Sequence, residues 1–241
     1  ELRGIDEPKA VIFAGKGNNG GDGFALARLL KDRGINCQIV FLFDRSNFSE
    51  DAEINYNIAL KCGINIITDF TEAVIETGRS DIVVDAILGT GISRPVEGIY
   101  ASVIEMINTY AKKVISVDIP SGVNSDDGRV MGMAVNADIT VTFALPKIGM
   151  LLYPGASYCG KIEIANISIQ PSTISEMNIK TAFLDKKDLY NIIPERKKRT
   201  NKGSYGRLFI IAGSNDMTGA VALCCKGAFR AGAGLVYACT V

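Results

Sequence analysis

The stretch Gly15-Lys16-Gly17-Asn18-Asn19-Gly20-Gly21-Asp22-Gly23 gathers five glycines, two amides and one carboxylate between two apolar runs. The first run, Ala10 to Ala14, reads as a buried strand; the second, Phe24 to Leu30, reads as part of a helix over Gly23 to Arg33. The glycines therefore fall in a strand-to-helix turn. Gly15, Gly17 and Gly20 fit G-x-G-x-x-G, in which glycines let backbone approach a phosphate at a helix N-terminus. Asp22 works against that plain reading, because a carboxylate beside the helix start competes with a pyrophosphate for the same N–H groups. A carboxylate and two amides suit a cation or a ligand's hydroxyls instead. Such a composition points to binding rather than packing.

Asp85 and Asp118 end the apolar runs Ile82 to Ala86 and Val114 to Asp118. A carboxylate there is costly unless it meets water, a cation or hydrogen-bond donors, or caps the loop that follows. With no histidine in the chain, Ser-His and Cys-His nucleophile pairs and the usual zinc sites are excluded, so any acid or base is Asp, Glu, Lys, Tyr or Cys. The six cysteines, Cys37, Cys62, Cys159, Cys224, Cys225 and Cys239, show neither C-x-x-C nor metal-ligand spacing. Reduced core residues are expected.

These groups must be positioned by alternating strands and helices, the pattern of a mainly parallel sheet covered on both faces. Further strands are expected at Gln38 to Phe43, Ile64 to Ile67, Ile139 to Phe143 and Lys161 to Ile167. Further helices are expected at Glu50 to Lys61, Phe70 to Thr77 and Tyr100 to Ala111. Right-handed crossovers put every strand's C-terminus on one edge, where open α/β sheets bind ligands. Asp44, at the end of the second strand, could imitate a dehydrogenase's acidic ribose-binding residue. It reads instead as part of a loop leading to a helix capped by Ser49.

Asn18 to Gly23, Val84-Asp85-Ala86-Ile87-Leu88-Gly89-Thr90-Gly91, and Val117-Asp118-Ile119-Pro120-Ser121-Gly122 resemble the three signature segments of the YjeF N-terminal family, the NAD(P)H-hydrate epimerases. Thr142 to Gly149 is similar to the family's sequence after its next strand, and the likeness covers roughly residues 8 to 170. The resemblance implies a Rossmann-like, doubly wound α/β fold that binds hydrated NADH and NADPH and interconverts their R and S forms. It implies potassium ligands at Asn19, Asp85 and Ser121. It also implies substrate contacts at Asn18, Asn19, Gly20, Gly21, Asp22 and Asp118, and along Gly89-Thr90-Gly91-Ile92-Ser93-Arg94-Pro95, where Arg94 is a candidate partner for the phosphates. Asp118 is the candidate for proton transfer, Asp22 competes with it, and Lys147 is a third possibility.

Composition narrows the partners. Lys plus Arg equals Asp plus Glu at 26 each, which removes any bulk electrostatic case for nucleic acid or anionic membrane. The basic run from Glu195 to Arg199 reads as a solvated linker. No stretch is long and apolar enough for a transmembrane helix and no signal peptide opens the chain, so a soluble, cytoplasmic protein is expected, as a homo-oligomer.

A second composition shift follows Pro171. Lys202-Gly203-Ser204-Tyr205-Gly206-Arg207, a strand Leu208 to Ala212, Gly213 to Ala220, a helix Val221 to Ala231 and a strand Leu235 to Val241 look like the start of the ribokinase-like NAD(P)H-hydrate dehydratases. That likeness implies ADP or ATP with magnesium as cofactor, and Ala220 in a segment lining the substrate site. The expected division is an epimerase domain over 1–180, a linker over 181–200 and an incomplete dehydratase domain over 201–241, within a longer bifunctional protein. The alternatives are a non-catalytic interaction module, which would have no reason to keep Asp22, Asp85 and Asp118, and a small-molecule kinase resting on the last segment.

Overall fold

A computed structural model describes residues 8–184, 186–192, 196 and 198–240. The chain divides into two compact units, Glu1–Met177 and Asn178–Val241.

In the first unit β1 (Lys9–Ala14), α1 (Asn18–Asp32), β2 (Asn36–Val40), α2 (Glu50–Lys61), β3 (Asn65–Ile67), α3 (Phe70–Arg79), β4 (Ile82–Ala86), α4 (Ile99–Tyr110), β5 (Val114–Val117), β6 (Ile139–Phe143) and β7 (Lys161–Ala165) follow in order, and a short α5 (Pro171–Glu176) comes last. The seven strands form one parallel sheet in the order β3-β2-β1-β4-β5-β6-β7. Winding proceeds outward from β1 to β3, then jumps back to β4 on the other side of β1. The β1/β4 boundary is therefore the topological switch point, where a crevice opens beyond the strand ends.

Period-two alternation along the strands builds the two cores. Ile12 and Ala14 of β1 pack with Ile39, Val84 and Ala86 under α1 and α2, through Phe24, Ala27, Ala52 and Ala59. Val11 and Phe13 pack with Val40 and Val83 under α3 and α4, through Ala73, Val103, Ile104 and Ile107. The sheet is thus Rossmann-like and doubly wound, as expected. Beyond β5 the crossovers carry no α-helix, and a third cluster of Ile119, Val123, Ala134, Met150 and Cys159 fills that side.

Most boundaries agree with the sequence reading within a few residues, and Ser49 caps α2 by accepting the Ala52 N–H at 3.3 Å. Two readings are corrected. Helix α1 begins at Asn18 and not at Gly23, so the amide-glycine motif is the helix's first turns. Only Cys159 among the six free cysteines is buried; Cys62, Cys224 and Cys239 are exposed.

The second unit holds α6 (Lys186–Ile192) and a β8 (Arg207–Ile211), α7 (Thr218–Ala231), β9 (Leu235–Cys239) motif with parallel strands. Helix α5 opens at the composition shift at Pro171, and helix α6 falls within the stretch expected to be a linker. Glu195 and Lys197 of the basic run, and Val241, lie outside the described residues. Phe209 and Tyr237 stack at 4.8 Å, yet Ile211 is 88% exposed and Leu223 71%, so the motif encloses no core. Among the described residues no helix is long and apolar enough to cross a membrane.

Gly23 lies where α1 presses on the sheet, and a Cβ there would stand 2.7 Å from the Ala86 Cβ and 3.3 Å from Ile12 Cγ2. Gly23→Val should destabilise the chain by at least about 1–3 kcal/mol through overpacking, measured by urea unfolding. An unchanged midpoint would contradict this packing.

Candidate functional site

The close fit of α1 onto the switch point begins with glycine. A Cβ on Gly15 would lie 1.9 Å from the Ile87 carbonyl oxygen, and one on Gly20 would lie 1.9 Å from the Gly15 carbonyl oxygen. Gly21 packs against the Ala52 backbone of α2, 3.4 Å from a Cβ placed there. Gly20, Gly21 and Gly23 are buried, so this part of the motif does packing work as well. Gly17, the residue before α1, supplies no side-chain cap and stands in open space. The first N–H groups of α1 thus face the crevice with the positive end of the helix.

Asp85, at the end of β4, is fully buried. Its Oδ1 accepts from the Ile87 N–H at 3.2 Å and the Ser121 hydroxyl at 2.5 Å; its Oδ2 accepts from the Ser116 hydroxyl and the Ser121 N–H, both at 2.8 Å. Burial pushes the Asp85 carboxyl above its ordinary value, and the Ser121 and Ser116 donors pull against that rise. The Ser121 oxygen also accepts the Leu88 N–H at 2.8 Å, and the Asn19 side-chain amide donates to the Leu88 carbonyl at 3.1 Å. Asn19, Asp85 and Ser121 are therefore brought into one network. Ser116 escaped the sequence reading, although a serine in the apolar strand Val114-Ile115-Ser116-Val117, in register with Asp85, was a usable signal.

Asp118 follows β5 with a left-handed backbone, φ +67°. Lys147 forms an ion pair with its Oδ1, which the Thr142 hydroxyl reaches at 3.3 Å and the Phe143 N–H at 3.4 Å. Lys147 also donates to the Thr142 hydroxyl oxygen at 2.8 Å.

A cleft of about 1010 Å³ opens over these groups. Asn18, Asn19, Asp22, Asp118 and the whole loop Gly89-Thr90-Gly91-Ile92-Ser93-Arg94-Pro95 line it, together with Lys16, Tyr100 and Phe143, which the sequence reading did not single out. Arg94 is exposed at the cleft. Tyr100 is braced by Phe43, whose ring stacks on it at 4.4 Å. Gly20 and Gly21 are not among the residues lining the cleft, and Ala220 lies on α7 in the second unit. Asp44 stays outside, pairing with Lys16 at 3.3 Å and with Ser46. Among the described residues no three Cys, Asp or Glu side chains gather as metal ligands.

Fold and site together define a Rossmann-like α/β protein whose cleft sits at the topological switch point. Residues 2–149 match the family described as YjeF-related protein N-terminus, and the chain belongs to that family. It is 40% identical over 236 residues to a bifunctional NAD(P)H-hydrate repair enzyme Nnr of Thermofilum pendens, covering 96% of this chain and 44% of that protein. The chain thus spans less than half the length of that relative. It is 42% identical over 158 residues to an NAD(P)H-hydrate epimerase of Limosilactobacillus fermentum, covering 66% of this chain and 74% of that protein. The crystal structure of yeast ynu0 shares the fold, with a TM-score of 0.63, 22% identity and 78% and 79% of the two chains covered.

Asp22 is held above its ordinary carboxyl value of 3.8 by loss of solvation first, then by repulsion from Asp118 and Asp51. A carboxyl raised in the folded state contributes stability that is full below its unfolded pKa and lost as pH rises through the folded value. Asp22→Asn should therefore gain stability relative to wild type as pH rises above the ordinary carboxyl value, read by urea unfolding across a pH series. A difference that stays constant with pH would contradict the coupling.

Proposed function

We propose that this chain carries NAD(P)H-hydrate epimerase activity, interconverting the R and S forms of hydrated NADH and NADPH, as part of a bifunctional repair enzyme. The observation that carries the reading is one cleft at the switch point in which Asp118 and Asp22 stand close enough to repel each other. Asp22, a carboxyl held above its ordinary value in that cleft, is the kind of group that proton transfer uses. In the hydrates the hydroxyl-bearing C6 adjoins the ring nitrogen N1. A proton delivered to the hydroxyl lets water leave as the N1 lone pair forms a planar iminium. Water adding to the other face returns the proton and completes the inversion. Asp118 exchanges that proton, with Asp22 the competing candidate; Arg94, Lys16 and the start of α1 meet the phosphates.

Purified protein mixed with R-form hydrate in potassium buffer should produce the S form. Folded protein that converts none overturns the reading. Asp118→Asn, which keeps shape but not the ionisable group, should lower single-turnover epimerisation by roughly 10² to 10⁴ with little change in affinity. A rate within about threefold of wild type would transfer the role to Asp22.

The donors around Asp85 fit a monovalent cation. The carboxylate is fully buried, no Lys or Arg pairs with it among the described residues, and the Ser121 hydroxyl that reaches it links it to the Leu88 carbonyl and, beyond that, to the Asn19 side chain, a set of hard oxygen groups. Potassium would supply there a fixed positive charge beside the loops that hold the substrate. Asp85→Ala should weaken ion and substrate binding together. Equal substrate affinity in potassium and in tetramethylammonium salts would count against this.

The second unit reads as the start of an ADP- or ATP-dependent dehydratase, with 181–200 as the connection from the epimerase domain over 1–180. Binding of ADP with magnesium by the intact gene product, but not by residues 1–180, would support that division.

A further inference from the structure

Two non-glycine residues at the ends of adjacent strands have a backbone that side chains disfavour: Asp118 after β5, φ +67°, and Ala144 after β6, φ +60°. Each is the centre of a three-residue turn. The Ile119 N–H donates to the Val117 carbonyl at 2.9 Å, and the Leu145 N–H donates to the Phe143 carbonyl at 2.7 Å. A γ-turn with positive φ is rare and strained, and it persists only where its surroundings over-determine it. Here they do: the Asp118 N–H donates to the Val141 carbonyl of β6 at 2.8 Å, and the Ala144 N–H donates to the Ala165 carbonyl of β7 at 3.0 Å. Both turns are riveted to the neighbouring strand.

The first turn carries Asp118 into the cleft wall. The second turn reverses the chain after β6, and three residues later Lys147 comes back onto Asp118 Oδ1 and Thr142 Oγ1, with the Phe143 carbonyl at 3.4 Å. The side chains of Lys147 and Asp118 are 21% and 15% exposed, so the pair is poorly screened. Lys147 does not line the cleft, whereas Asp118 and Phe143 do. The ammonium group is therefore placed to act on the cleft through the carboxylate. All three donors to Asp118 converge on Oδ1, and Oδ2 has no partner among the described residues.

We infer that Lys147 is a positioning residue: the tandem γ-turns bring it back to clamp Oδ1 of Asp118, leaving Oδ2 aimed and available for proton exchange with the substrate. This role rests on the epimerase reading for its reaction, and it separates Lys147 from a direct acid or base. A clamp of this kind acts on the rate of the bound complex and not on ligand affinity.

Lys147→Ala tests it, with Lys147→Met read in the same way if the alanine variant does not fold. The turnover of R-form hydrate should fall by about 10², the usual cost of misplacing a reacting group by an ångström, with KM within about threefold of wild type. Added ethylammonium should restore at least about tenfold of the loss by re-supplying the cation, while tetramethylammonium at equal ionic strength should not. Unchanged turnover, a loss carried by KM, or equal response to both amines would overturn the inference. An activity-free arm keeps it distinct from the function itself: the Asp118 and Phe143 backbone amide NMR signals should move in Lys147→Ala and return with ethylammonium. If wild-type protein converts no hydrate, the epimerase reading fails and these signals alone judge the clamp; unmoved signals overturn it.

Discussion

The structure hangs on one buried carboxylate. Asp85 has no exposure, and burying an anion in this way costs several kcal/mol unless donors replace its water. The donors come from three separate segments: Ile87 in the loop after β4, Ser116 in β5, and Ser121 by both its N–H and its hydroxyl in the loop after β5. Satisfying Asp85 therefore sets the geometry of both loops at once. Ser121 passes the constraint to Leu88, and the Leu88 carbonyl passes it to Asn19 at the start of α1. An apolar residue of the same shape would strand the Ile87 and Ser121 N–H groups and the Ser116 hydroxyl without this acceptor, so the network stands or falls as a unit.

Around that anchor the cleft has two unlike walls. On the α1 side, closeness is the device: Gly15 and Gly20 allow backbone contacts that any side chain would block, and they bring an uncapped helix N-terminus to the switch point. On the β5–β6 side, strain is the device. Asp118 and Ala144 hold left-handed backbone without being glycines, because ladder bonds to β6 and β7 leave no alternative. Glycine would relax these turns, but at position 118 it would remove the carboxylate. Strain is thus accepted at position 118, where the backbone carries a carboxylate, and glycine stands at 15 and 20, where only a close backbone contact fits.

The two units differ in how far they satisfy their own apolar surface. The first encloses two cores on opposite faces of the sheet and a third under the loops beyond β5. The β8-α7-β9 motif leaves Phe209, Ile211 and Leu223 exposed. A single βαβ motif covers only one face of two strands, too little burial to offset chain entropy alone.

The sequence by itself determined the fold class, the strand and helix order, and the meeting of three motifs at one sheet edge. Those depend on local periodicity and on the handedness of crossovers, both written in short stretches of chain. It also pointed to Asp22, Asp85 and Asp118, because carboxylates beside glycines and at the ends of apolar strands are anomalous wherever they occur. Only the tertiary structure decided what each residue does there. The close packing of Gly20 on Gly15 and of Gly21 on α2 was not legible, because such distances are a property of assembled elements. Ser116 became a partner of Asp85 through strand register, and Lys147 reached Asp118 because a turn at Ala144 reversed the chain. A serine inside an apolar strand was visible in the sequence, but neither pairing was, since hydrogen bonds between residues about thirty positions apart are set by how strands align and not by the residues between them.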